Sequence, residues 1–376
     1  MEDIPPLRVY WHRETILHEP PDGAFKLPST DLLAVDEPHP DQPARVKNIR
    51  RIIEETFVDR AHFIPVEPAS RSRLEAVHTA EYLDWLESFC ADGGGRIDGT
   101  TTGANDMTFV AARRAAGAAL EATAHTLEDR RGIPYALCRP SGHHAQSDRA
   151  DGFCFLNNAA VAAQYALETS CERVAIVDWD VHHGNGTQEN FEERDDVLYI
   201  SIHNDHGAWD PTYHPQTGGF EEDGVSKGKG FNVNIPIPSG TGDHGYELIF
   251  ENLVEPIIES YNPDLIVYSA GQDPGISDPL GRNVVSRTGF RTLGERARTL
   301  ADRTAGGRYV LVQEGGYQIS HLAFATLGVL EGAIGSTFDL EAYGGDDPFA
   351  WLDEEIEPLE KAIEQARQYH AEYWPV

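Results

Sequence analysis

The chain has 376 residues, and 62 acidic against 30 basic side chains give it a formal net charge of -32. Such an excess argues against nucleic-acid binding through phosphate contacts. It does not imply disorder, because 40% of the residues are hydrophobic and fall in periodic segments. Lysine is scarce, occurring only at Lys26, Lys47, Lys227, Lys229 and Lys361. A screened acidic surface of this kind fits work in concentrated salt, and so a halophilic source. No apolar run approaches the ~20 residues of a membrane span. The acidic, proline-bearing start from Met1 to Pro6 is unlike a signal peptide. Cys90, Cys138, Cys154 and Cys171 lack metal-ligand spacing. A soluble cytoplasmic protein with buried free thiols is expected.

In chain order, residues 7–45 read as loop-rich, since Pro20-Pro21-Asp22-Gly23, Pro28 and His39-Pro40-Asp41 interrupt long elements. Residues 45–55 read as a helix with Val46, Ile49 and Ile53 on one face, and residues 73–89 as another. A glycine-rich loop over 92–99 precedes a long Ala-rich helix from about 106 to 128. From residue 134, apolar runs alternate with helical segments. The runs lie at 135–138, 174–177, 197–202, 265–268 and 309–312; helices lie at about 157–169, 244–261 and 288–304. This is the alternation of a parallel sheet covered by helices, and near-continuous apolar runs suit strands buried on both faces. Nothing repeats at a fixed period and no linker separates two cores. One domain is expected over 1–376, with a core over about 8–335 and a C-terminal helical extension over about 338–376.

Each run ends in a polar motif: Pro140-Ser141-Gly142-His143-His144, Asp178-Trp179-Asp180-Val181-His182-His183, Ser201-Ile202-His203, Ser269-Ala270-Gly271-Gln272-Asp273, and Gln313-Glu314-Gly315-Gly316-Tyr317. Open α/β sheets bind ligands at the carboxyl ends of their strands, so the five motifs should converge. In an extended chain Asp178, Asp180 and His182 point to one side, the start of a divalent-metal site with oxygen and nitrogen ligands. Asp180, His182 and Asp273 make three protein ligands, and a fourth position left for water or substrate marks a catalytic site. Such a metal polarises an amide carbonyl and acidifies water. His143 and His144 supply imidazoles for the base and the acid. Asp178 and Asn185 are natural partners to orient those rings, the Asp type making its ring the more basic. Tyr317, after a Gly-Gly turn, can aim a phenol at an oxyanion. Each motif alone has a plain reading as a surface pair or a turn. Their joint occurrence at strand ends favours a metallohydrolase. His12, His18, His39, His62, His78, His125 and His321 lack such partners in sequence and read as structural.

The motifs resemble one family, the zinc-dependent histone deacetylases and their microbial relatives, including acetylpolyamine amidohydrolases. The resemblance rests on Arg139 to Ala145, Gly152-Phe153-Cys154-Phe155-Leu156-Asn157-Asn158, Asp178 to Gln188, Ser269 to Asp273 with Asp278-Pro279-Leu280, and Glu314 to Tyr317. His39 to Arg45 and Val77 to Tyr82 look like the family's early helices. Asn185, Asp278 to Arg282 and Glu314 look like class II deacetylases and bacterial deacetylase-like amidohydrolases.

The resemblance implies an arginase/deacetylase-like three-layer α/β fold with a central eight-stranded parallel sheet. It implies Zn²⁺, with Fe²⁺ as the alternative, on Asp180, His182 and Asp273. His143 would pair with Asp178 and His144 with Asn185, with Tyr317 at the oxyanion. It also implies structural K⁺ at Asp178, Asp180, His182, Ser201 and Ile202, and a second such ion at Phe191, Arg194, Val197 and Phe231. Gly152, Phe153 and Leu280 would line an acyl-lysine tunnel. His214 falls where many relatives carry an aromatic wall residue, and Asp98 matches a rim carboxylate.

The expected reaction is removal of an acetyl or other acyl group from acetyl-lysine, an acetylpolyamine or a related N-acetyl amine. Two rivals are a binuclear ureohydrolase and a metal-retaining acetyl-lysine-binding module. The first needs bridging carboxylates, which Pro274-Gly275 after Asp273 do not supply. The second is disfavoured by the joint presence of His143, His144 and Tyr317. Residues 338–376, with Trp351, Leu352, Leu359 and Trp374, serve either homo-oligomer formation or cover of the core.

Overall fold

Eight parallel strands carry the architecture of this computed structural model, which describes residues 5–21, 32, 34–35, 38–97, 102–128, 132–205, 217–340 and 354–376. Asp98, His214, Trp351 and Leu352 lie outside the described residues. In chain order the strands are β1 (Leu7–Trp11), β2 (Ala61–Pro65), β3 (Gly95–Arg96), β4 (Gly103–Ala104), β5 (Ile133–Ala136), β6 (Val174–Asp178), β7 (Val197–Asn204), β8 (Asn232–Ile237), β9 (Leu265–Ala270) and β10 (Tyr309–Gln313). β3 and β4 form a short antiparallel pair. The other eight form one sheet in the order β2-β1-β5-β10-β9-β6-β7-β8, parallel throughout.

Strand residues alternate between two cores, as period two requires. Val174 and Ile176 pack with the helices Thr108–Glu128 and Asn158–Thr169. Ala175 and Val177 pack on the other side, with Arg287–Thr304, Ile319–Ile334 and the helical run 243–261. The result is a three-layer α/β fold around an eight-stranded parallel sheet, as expected. Among the described residues, no helix is long and apolar enough to cross a membrane.

Several local expectations are corrected. Residues 7–45, read as loop, contain β1, an interior strand with Leu7, Val9 and Tyr10 fully buried. No helix begins at His39; a 3-10 turn spans Arg13–Leu17, and among the described residues the first α-helix starts at Ala44. The expected helix over 73–89 is two helices, Arg71–Leu74 and Ala80–Ala91. The break is held by tertiary contacts: Thr79 N–H donates to Ser147 O, and His78 Nδ1 lies 2.9 Å from Gln146 O. The run 244–261 stays helical but passes through a π-turn at Phe250–Val254, just before Pro256. β8 escapes the pattern because Asn232, Asn234 and Pro236 interrupt its apolar residues, and a proline is tolerated there because β8 is an edge strand.

The C-terminal helix Ile356–His370 covers the core next to β8, burying Leu359, Ile363 and Ala366. Glu354 caps the helix Asp243–Ile249, accepting from Gly242 N–H and Gly245 N–H at 2.7 Å each. Trp374 donates to Gly230 O at 2.8 Å, and Tyr373 donates to Asp223 at 2.9 Å.

Candidate metal centre

Asp178 is the last residue of β6, and the chain beyond it stays extended enough for each carboxylate to hold the amide two residues on. Asp180 N–H donates to Asp178 Oδ1 at 3.1 Å, and His182 N–H to Asp180 Oδ1 at 3.0 Å. The His182 ring comes back over Asp180: its Nδ1 lies 3.1 Å from Asp180 Oδ1 and 3.0 Å from Asp273 Oδ2. Asp273, just beyond β9, is steadied by Val181 N–H on Oδ1 at 2.9 Å. Asp180 Oδ2 accepts from Gly315 N–H at 2.8 Å, beyond β10. Two strand ends, those of β6 and β9, therefore supply one buried cluster whose candidate ligand atoms all lie within 4.8 Å of one another, and a third, that of β10, steadies it through Gly315.

The electrostatics describe a site short of positive charge. Burial, and then the Asp180 carboxylate, push Asp273 up to about 8. Burial also opposes ionisation of Asp180, but His143 and His182 outweigh it and hold that carboxyl far below its usual range. Burial would lower His182, yet Asp273 and Asp180 draw it up to about 10. Among the described residues no backbone amide donates to Asp273 Oδ2, which faces the His182 ring instead. A Cβ on Gly315 would strike both Asp273 Oδ2 and Asp180 Oδ2, so the glycine keeps the space beside them open. Two carboxylates and one imidazole around that space fit a divalent ion such as Zn²⁺ or Fe²⁺.

A second group, His143, Cys154 and Glu314, is also mutually within 4.8 Å. It is of a different kind. Glu314 Oε2 already accepts from Gly142 N–H at 2.7 Å and His143 N–H at 3.2 Å. His143 Nδ1 faces Asp178 Oδ2 at 3.0 Å, and burial holds the Cys154 thiol well above its ordinary pKa. Burial raises Glu314 to about 7.

The two imidazoles of the His143-His144 turn stand 4.1 Å apart, centre to centre. His144 Nδ1 lies 2.7 Å from Asn185 Oδ1, and Asp178 Oδ2 also accepts from Tyr199 at 3.0 Å. Burial lowers both rings, but the Asp180 and Asp178 carboxylates outweigh it at His143, which stays well above the usual imidazole range. For His144, burial and the neighbouring His143 act together, and it falls well below that range. Gly152 packs directly on His144, where a Cβ would collide with the ring. Phe153, at φ 66°, sets its ring 5.7 Å from that of Tyr317. Tyr317 is nearly buried, with its ring 6.5 Å from that of His182. Leu280 is half-buried, on a turn held by Asp278.

Of the residues assigned to the first monovalent cation, Asp180 and His182 also belong to this cluster. Asp178 and Ser201 are register partners on β6 and β7, with Ile202 following. Phe191 ends the helix Asn185–Phe191, Arg194 N–H donates back to Phe191 O, Val197 opens β7, and Phe231 O accepts from Tyr199 N–H.

Sequence reasoning missed Arg45. Fully buried, it donates to Glu314 O at 2.7 Å and Gly316 O at 2.6 Å, and its guanidinium lies 4.8 Å from the Tyr317 ring centre. Its charge is balanced by Asp41, 2.6 Å away, which also accepts from Arg139 at 2.9 Å. Asp41 stands four residues before Arg45, but the fold brings Arg139 to it from beyond β5, 98 residues away, and no local spacing signals that meeting.

With this geometry in view, residues 39–333 match the histone deacetylase domain. The chain is similar to histone deacetylase 8 of Arabidopsis thaliana, 38% identical over 98% of this chain and 97% of that one. It is similar to a histone deacetylase-like amidohydrolase of Pseudomonas aeruginosa, 38% identical over 78% of this chain and 76% of that one. A probable deacetylase of Archaeoglobus fulgidus is 36% identical over 89% of this chain and 94% of its own. Among solved structures, the HDA15 HD domain superposes with a TM-score of 0.84 at 31% identity, covering 99% of this chain and 96% of that one. The match across most of the chain, in family domain and in fold, places this protein in the histone deacetylase family.

Proposed function

We propose that the protein is a metal-dependent amidohydrolase that removes acetyl or other short acyl groups from lysine side chains, polyamines or related amines. The observation that carries this reading is the convergence of the Asp180–His182–Asp273 cluster with the paired imidazoles and Tyr317. Asp180, His182 and Asp273 would hold Zn²⁺, or Fe²⁺ in its place. A bound divalent ion polarises the amide carbonyl and lowers the pKa of the attacking water. His143, oriented by Asp178, and His144, oriented by Asn185, take a proton from that water and return one to the departing amine. Tyr317 donates a hydrogen bond to the oxyanion that develops on the carbonyl. Gly152, Phe153 and Leu280 line the acyl channel in this reading; the resemblance assigns His214 and Asp98 to the substrate as well, and both lie outside the described residues.

The supporting electrostatics are the unequal environments of the two imidazoles and the excess of buried carboxylate around His182. K⁺ at Asp178, Asp180, His182, Ser201 and Ile202 would add charge balance beneath the site, with the second ion at Phe191, Arg194, Val197 and Phe231. A single catalytic domain over 1–376, acting in a salty cytoplasm without nucleic-acid or membrane partners, completes the proposal. The acidic surface attracts cationic substrates only at low salt, because a molar electrolyte shrinks the Debye length to about 3 Å.

The test is turnover of a fluorogenic acetyl-lysine amide, acetylputrescine and acetylspermidine at high salt, by wild type and Tyr317→Phe. A loss of ~10²–10³ in kcat for Tyr317→Phe is expected from removal of one oxyanion donor. No turnover of any of the three by metal-replete wild type overturns the reading, and equal rates for the two proteins overturn the role of Tyr317.

A further inference from the structure

Glu314 is a fully buried carboxyl group that the chemistry above does not use. It follows β10 directly, and it stands at a junction of three parts of the site. Its side chain reaches the His143-His144 turn, where Oε2 accepts from Gly142 N–H at 2.7 Å and His143 N–H at 3.2 Å. Its own carbonyl accepts from Arg45 at 2.7 Å. The next residue, Gly315, donates its N–H to Asp180 at 2.8 Å, and Tyr317 comes two residues later.

The two amides held by Glu314 belong to a turn that crosses to it from β5, 171 residues away in the chain. They are buried donors, and a buried donor left without an acceptor loses its hydration with nothing in return. A leucine would fill the same space and leave both unpaired. The carboxyl group itself is an expensive choice here, because Asp178 and Asp180 already crowd the pocket with negative charge. Packing alone gives no reason for it. An acceptor that can take two N–H groups at once does.

We propose that Glu314 is a positioning residue that locks the histidine turn and the tyrosine loop into one rigid unit, so that the imidazoles and the phenol keep a fixed separation during turnover. The inference rests on the deacylase reading for its kinetic consequence, but not for its structural one. Displacement of catalytic groups by about 1 Å is enough to cost ~10²-fold in rate. The effect falls on kcat, because Glu314 is fully buried and its carboxyl group holds backbone amides of the histidine turn.

The experiment compares Glu314→Gln, Glu314→Asp and Glu314→Leu with wild type in the metal-replete full-length chain. Readouts are kcat, KM, metal content, and hydrogen exchange in peptides spanning 139–146 and 313–318. Gln keeps an acceptor at the same reach, so kcat should stay within threefold. Asp withdraws the acceptor by one methylene and should lower kcat at least tenfold. Leu removes it and should lower kcat at least a hundredfold, with KM within threefold, metal content unchanged and faster exchange in both peptides. The proposal is overturned if Glu314→Leu, folded and metal-loaded, keeps kcat within threefold. It is equally overturned if Glu314→Gln is as slow as Glu314→Leu, since charge rather than positioning would then be at work. Should Glu314→Leu fail to fold, Glu314→Asp decides: unchanged kcat and exchange overturn the proposal. A wild type without turnover counts against the deacylase reading alone, and the exchange of 313–318 then decides for Glu314, unchanged exchange overturning it.

Discussion

The Asp180–His182–Asp273 cluster and the Asp41–Arg45–Arg139 cluster are equally buried, yet they are built to opposite rules. In the second, Asp41 is answered by two guanidiniums at Oδ1, while Oδ2 faces His18 Nε2 at 3.3 Å. Arg45 and Arg139 spend their remaining donors on carbonyls of Glu314, Gly316, Thr15 and Asp41. In the first, carboxylates outnumber the cations available, and a glycine keeps space open beside two of their oxygens. A buried ion network that is satisfied internally supports the fold. One that is left short of positive charge is prepared for an ion from outside. The two are joined through Arg45, so the closed cluster serves as the footing of the Tyr317 loop.

The comparison can be broken most sharply by removing one carboxylate from each cluster. Asp273→Asn should lower kcat/KM on an acetyl-lysine amide by ~10³ or more, as loss of a proposed metal ligand would remove the carbonyl polarisation that the ion supplies. In chelated protein the same change should leave the melting temperature nearly equal or higher, because burial and the Asp180 charge already hold the Asp273 carboxyl near 8, largely neutral, and asparagine has almost its shape. A clear fall in the chelated Tm would mean that the cluster is structural. Asp41→Ala should do the reverse. It leaves two buried guanidiniums uncompensated and should cost ~3–5 kcal/mol by denaturant unfolding, with or without metal. A loss below ~1 kcal/mol would show that solvent or another anion replaces Asp41.

The pH dependence sharpens the contrast at a smaller scale. His18, with Nε2 3.3 Å from Asp41 Oδ2, is pushed down to about 4, burial outweighing that carboxylate. His78, between Gln146 O and Asn157 N–H, is also pushed down to about 4 by burial. Both are neutral when folded and take up a proton near 6.5 when unfolded. Their stabilising effect is therefore complete above pH 6.5 and is lost as pH falls toward 4. By pH 5 the loss is ~2 kcal/mol for each. Unfolding curves at pH 7 and 5 for wild type and His78→Gln should show a smaller pH slope in the variant, and an unchanged slope would remove His78 from the account. The smallest effect is expected far from both clusters. Glu354→Gln weakens an anionic cap on Asp243–Ile249 and should cost ~1 kcal/mol with unchanged kcat. A change in kcat would tie the C-terminal segment to the site.

The strand ends were readable because their residues are unusual in apolar company. Val174 to Val177 announces a buried strand, and Asp178, Asp180 and His182 at period two announce that something is held at its end. The same logic finds β5, β7, β9 and β10, with β5 displaced by two residues. It cannot find β8, whose Asn232, Asn234 and Pro236 are acceptable only at an edge, nor β1, whose burial depends on β2 and β5 flanking it.

What the sequence by itself determined is the chemistry on offer and its placement at strand termini, because side-chain type and alternation are local properties. The tertiary structure alone decided which groups meet. That Asp178 faces His143 and Asn185 faces His144, that Asp273 Oδ2 faces the His182 ring, and that Arg45 and Glu314 anchor the Tyr317 loop all follow from the order of strands in the sheet. β6 is flanked by β9 and β7, and β10 lies next to β9, so residues some 35 to 270 positions apart share one buried space. Contacts of that range are set by how the whole core packs, and no window of the chain contains them.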